Sequence, residues 1–193
     1  MTIGAVLTLL ATILVVLVMA VAAVVEHRKR EQRSAFGPEY ARVVAEYGGR
    51  RAADRELARR RQAHSLLPLA PLGPDDLSYY TSTWDHIQGV FVDDPAAALS
   101  GADRLIRALL HDRGYPGEDR DEQFALLSVQ HGRTLTAYRE AEPVMRRAAE
   151  DPEETSTEEM REALMRYRRF FDDVLLEGSG PLPQRVPGAG IRS

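Results

Sequence analysis

The chain has 193 residues, no cysteine and a formal net charge of −4. Disulfides, thiolate metal sites and thiol nucleophiles are therefore excluded, and the length suits one folded domain behind an N-terminal apolar segment. The charge is unevenly placed: residues 26–64 carry eleven basic and six acidic side chains, net +5, whereas residues 65–193 carry fourteen basic and 23 acidic, net −9. A basic stretch beside an apolar run fits an anionic lipid surface, and the acidic remainder argues against nucleic acid as a partner.

From Met1 to Val25 no side chain is ionisable. As a helix this run spans roughly 37 Å, enough for a hydrocarbon core of about 30 Å. The spacing predicts a transmembrane anchor over 1–26. A cleaved export signal is the alternative, with Ala20-Val21-Ala22 as a weak cleavage match, but the run is long and lacks a basic leader. Arg28, Lys29, Arg30 and Arg33 crowd its C-terminal flank. By the positive-inside rule they place the N-terminus outside and the remainder in the cytoplasm, where these four side chains would meet lipid headgroups. The expected localisation is the cell membrane, single-pass.

Residues 27–65 read as a basic juxtamembrane region. Gly37 breaks the chain, Pro38 opens a helix, and that helix runs to about Gln62, with Gly48-Gly49 as a weak centre where a kink or an interruption is the alternative. Tyr40, Val43, Val44, Tyr47 and Leu57 make a partial apolar stripe. The arginine-rich second half, RRAADRELARRR, is broken by acids and has no interleaved aromatic, which favours a solvated or lipid-facing helix over a nucleic-acid binder.

A helical domain is expected over 66–177, entered through the proline-rich LLPLAPLGPDD. Leu77, Tyr80, Trp84, Ile87 and Phe91 recur at spacings of three and four and share one helix face. Asp94 then serves as N-cap with Pro95 at the first helical position. Leu99, Ala102, Leu105, Ile106, Leu109 and Leu110 form the next stripe, which Gly114 and Pro116 end. A short helix is predicted over 119–127, then a loop element SVQHG, then a helix over 133–149 that Pro143 should kink or divide. Ser156 and Glu159 form a capping box for a last helix with Met160, Leu164, Tyr167, Phe171, Val174 and Leu175 inward. Residues 178–193 are too poor in apolar groups to repay ordering and read as a disordered tail.

The elements FGPEY (36–40), the Arg/Glu helix over 49–61, the Trp84 helix, FVDDP (91–95), RGYP (113–116) and LSVQHGRTLTAYREA (127–141) resemble an uncharacterised, mostly actinobacterial family of single-pass membrane-anchored helical proteins. The resemblance covers about residues 1–142. It implies an anchor and a helical domain, and no chemistry. Where the family pattern has acid-His-Pro after the LSV element, this chain has Gln130-His131-Gly132, so a role carried by that acid does not transfer.

No site motif is complete. The five histidines lack the spacing that sets two metal ligands on one helix face, so no metal or cofactor is expected. Phosphate-loop and serine-elbow patterns are absent, and no catalytic residue is assigned. Asp93 and Asp94 are a carboxylate pair, though capping accounts for Asp94. If Asp93, Asp94, Arg113, Tyr115 and His131 gathered at the FVDDP, RGYP and SVQHG loops, they would form a ligand-binding or enzymatic site. The reading taken first is an all-α chain acting as a membrane-anchored adaptor, with the lipid membrane and another protein as partners.

Overall fold

The structure, a computed structural model, describes Met19 and residues 37–179. Among these residues there are six helices and no strand: α1 Pro38–Glu46, α2 Arg50–Ser65, α3 Pro74–Asp93, α4 Pro95–Asp112, α5 Arg120–Glu150 and α6 Thr157–Gly178. The all-α expectation holds. None of these helices is long and apolar enough to cross a membrane. The expected anchor at 1–26 and the four headgroup contacts Arg28, Lys29, Arg30 and Arg33 lie outside the described residues, as does the tail from 180 onward. Gly178, assigned to that tail, instead closes α6 and is buried.

Long apolar stripes explain the bundle. α5 and α6 make the most extensive pairing, α4 packs on both, and α3 lies along α4. The stripes of α3 to α6 converge on one core, in which Trp84 stacks on Phe171 at 4.7 Å and Tyr138 on Phe170 at 4.6 Å, while Val43, Ala53 and Leu57 of α1 and α2 form a second cluster. Asp94 caps α4 by accepting from the Ala97 N–H, and the Ser156/Glu159 box opens α6.

Three expectations are corrected. The helix predicted from Pro38 to about Gln62 is two helices, because Gly48 and Gly49 take positive φ of 72° and 154° and turn the chain between them. Its charged half does not simply face solvent or lipid. α2 buries Ala53, Glu56, Leu57, Arg60 and His64 against α5, so the boundary drawn at 65/66 is not a packing boundary. Lastly, the helices predicted over 119–127 and 133–149 are two segments that meet at a kink, but SVQHG is not a loop between them, since residues 128–130 continue the first segment. The only non-helical backbone inside α5 is at His131 (φ −106°, ψ 18°). Pro143 leaves the helix intact: it sits on the solvent side, where the carbonyl it displaces can turn to water.

The connector between α2 and α3 is a strap. The Ala70 N–H donates to the Arg113 carbonyl at 3.1 Å and the Leu72 N–H to the Gly178 carbonyl at 2.9 Å, while the Arg113 guanidinium donates to the Ala70 carbonyl. It thereby ties the ends of α4 and α6 together just beyond α2.

Candidate functional site

The kink in α5 aims the His131 ring between two carboxylates that stand one turn apart on α6. Nδ1 lies 3.0 Å from Asp173 Oδ2 and Nε2 lies 2.9 Å from Glu177 Oε2, with the histidine only 1% exposed. Burial alone would lower its pKa, but the hydrogen bonds and charges of Asp173 and Glu177 outweigh that and raise it. Because each nitrogen faces a carboxylate oxygen, which can only accept, both nitrogens donate in this arrangement, which is the imidazolium form. Burial would correspondingly raise the two carboxyls, and His131 overrides it to hold both below their ordinary range.

Around this clasp the cluster is dense. The Thr134 hydroxyl donates to Asp173 at 2.6 Å, and Arg113 pairs with Glu177 at 3.2 Å. Tyr115 lies edge-on to the His131 ring, centroids 6.4 Å apart. Its hydroxyl donates to Gln130 at 3.4 Å and stands 3.3 Å from His64 Nε2, at the last turn of α2. Burial lowers the pKa of His64; the charge of Glu177 and a hydrogen bond with Gln130 oppose this, and the charge of His131 adds to it.

Of the five residues proposed from sequence, Arg113, Tyr115 and His131 therefore meet. Asp93 and Asp94 do not. Asp94 caps the start of α4 and Arg113 ends it, roughly 28 Å away at 1.5 Å per residue, and both aspartates are exposed. Sequence reasoning missed His64, Gln130, Thr134, Asp173 and Glu177. A signal was present for two of them: Asp173 and Glu177 are four residues apart and flank the inward Phe170 and Val174, at the margin of a buried face.

A second buried network joins α4 to α5. Tyr138 donates to Asp103 at 2.9 Å and accepts from Arg120 at 2.6 Å, while Arg107 binds Asp103 at 2.6 Å and Arg120 also pairs with Glu142. A cleft of about 360 Å³ lies between α1, α2 and the start of α5, lined in part by Arg42, Glu56, Arg59, Arg60 and Glu122. Its charges are largely spent on one another: Arg59 and Arg60 both bind Glu56 at 2.8 Å and hold that carboxyl at about 2.

Chemically, the His131 cluster can hold helices together. An imidazolium with both N–H groups engaged has no lone pair for proton abstraction or metal ligation. Among the described residues no group of three histidine or carboxylate side chains is arranged to hold a metal ion. Compared with known proteins, the chain matches no family model, no curated protein and no solved structure.

Proposed function

We propose that the chain is a membrane-anchored adaptor or scaffold that does no chemistry, held at the cytoplasmic face of the cell membrane by residues 1–26 and offering its helical bundle to another protein. One observation supports the non-catalytic part: the cluster of titratable groups in which Arg113, Tyr115 and His131 meet closes on itself around a buried His131 whose two nitrogens are both occupied. The enzymatic alternative needs a free acid or base beside a substrate space, and Asp93 and Asp94, which were to supply the acids, stand at the far end of α4. The anchor rests on the uncharged run from Met1 to Val25 and the basic flank after it. Contacts to a partner would start from the large apolar side chains left exposed, Tyr79, Val92 and Leu176 among them.

The test combines topology with contact. A C-terminal tag should be cut by protease in inverted vesicles only, and a photo-crosslinker placed at position 79, 92 or 176 in cells should give a discrete adduct that disappears when 1–26 is deleted. Cutting in right-side-out vesicles would move the domain to the other side of the membrane. Crosslinking that gives no adduct from any of the three positions would remove the adaptor reading.

A further inference from the structure

α2 has two faces of opposite character. Ala53, Glu56, Leu57, Arg60 and His64 are buried and turn toward the bundle. On the other side Arg51, Arg55, Arg59 and Gln62 are all exposed, and Leu66, the C-cap, continues the same row. Their spacings of four, four, three and four keep them on one side of the helix, in a line about 22 Å long. No acid falls in that row. Arg59 is bound to Glu56 at 2.8 Å, whereas Arg51 and Arg55 pair with no acid among the described residues.

The row is not purely cationic. Leu66 at its end is 78% exposed, and Tyr47, 41% exposed at the end of α1, lines the same cleft as Arg59. Arginines with an exposed leucine and a tyrosine beside them make a surface suited to a lipid interface: guanidinium groups bind headgroup phosphates, the phenol sits at headgroup level, and the leucine reaches the acyl boundary. The layout of the chain selects lipid as the occupant. Residues 65–193 carry a net −9, so an anionic surface repels the rest of the bundle and attracts this arm. The uncharged run ends at Val25 and α1 begins at Pro38, and the twelve residues between them reach at most about 40 Å. A chain anchored by its first residues therefore carries α2 close to the headgroups, where docking is intramolecular and a few arginines are enough. Nucleic acid would meet the same charges, but no aromatic stands between the arginines to stack on a base.

We infer that the outer row of α2 docks on anionic lipid headgroups and sets how the bundle stands on the membrane, with Arg51, Arg55 and Arg59 on the phosphates and Leu66 at the acyl boundary. The inference rests on the membrane anchor proposed above, and adds to it a contact whose direction the fold dictates. Because the inward face of α2 rests on α5, docking by the outward face puts α5 on the side away from the lipid.

The chain has no cysteine, so a fluorophore attached through Gln62→Cys reports on this row alone. Full-length protein is compared in nanodiscs of phosphatidylcholine and in discs with phosphatidylserine added, each holding a lipid with a spin-labelled headgroup as quencher. Quenching at position 62 should be strong only in the anionic discs and should fade at about 1 M salt, where the screening length is about 3 Å. At Val92→Cys, near the end of α3 remote from the strap, it should stay weak in both. Replacing Arg51→Gln together with Arg55→Gln should lower the docked-to-undocked ratio by a factor of about 25, taking about fivefold for each arginine, with an unchanged melting temperature. Equal quenching at position 62 in the two lipids, equal quenching at 62 and 92, or a double variant that quenches like the wild type overturns the inference and leaves the anchor standing. If the double variant melts lower, the wild-type salt response decides, and quenching that persists at about 1 M salt overturns it. Release of position 62 from anionic discs by added duplex RNA would assign the row to nucleic acid instead. Protein that enters neither kind of disc overturns the anchor, and this inference with it.

Discussion

Replacing His131 by alanine removes the two charge-assisted hydrogen bonds of 3.0 and 2.9 Å and the edge-on packing against Phe170 and Tyr115. Breaking a buried ion pair costs about 3–5 kcal/mol. Here the carboxylates are 41% and 27% exposed, so water screens them and the lower end, about 3 kcal/mol, applies. The effect should depend on pH. His131 has a raised pKa in the fold, so its contribution is complete below about 6.5 and fades as pH rises through the folded value; Asp173 and Glu177 have lowered values, so theirs is complete above about 4.5 and fades as pH falls. The clasp is thus strongest between those limits. Urea unfolding of the full-length protein in detergent, followed by the fluorescence of Trp84, the only tryptophan, measures it. A loss below about 1 kcal/mol at pH 6, well under the cost of a broken buried pair, or an equal loss at pH 6 and pH 9, would refute the reasoning.

Gly114→Ala should destabilise by about 1–3 kcal/mol, because Gly114 has φ +92° and an added Cβ would lie 2.8 Å from the Pro68 carbonyl oxygen of the strap. An unchanged melting temperature would mean the strap yields freely. Tyr167→Phe should be neutral or stabilising by up to about 1 kcal/mol, since the hydroxyl is buried with no hydrogen-bond partner and its removal ends that desolvation cost. A loss greater than about 1 kcal/mol, the usual worth of a hydrogen bond, would show that the hydroxyl is bonded.

Most of the bundle was legible from local pattern. The three- and four-residue recurrence of Tyr80, Trp84 and Ile87, of Leu99, Leu105, Ile106, Leu109 and Leu110, and of Met160, Leu164, Tyr167, Phe171 and Val174 is a property of neighbours in the chain, and all these residues are buried. Asp94 and Ser156 announced their helices for the same reason: a cap acts within three residues. The place and extent of the break in α5 were not legible. Gly132 and Pro143 look like breaks in a one-dimensional reading, yet the pairing with α6 supports the helix through both, and the irregularity falls on His131.

The sequence alone determined the helical class and the stripes that face the core, because each depends on backbone preference and periodicity over one or two turns; it marked Gly48-Gly49 as a weak point without deciding that the helix ends there. Only the tertiary structure decided that His64, Tyr115, His131, Asp173 and Glu177 share one cluster while Asp93 and Asp94 stand apart from it. Residues 42 and 51 positions apart in the chain meet through the packing of α2 and α6 against α5 and the end of α4. The direction in which each histidine's pKa moves is then set by what that packing brings around it: carboxylates raise His131, and burial lowers His64.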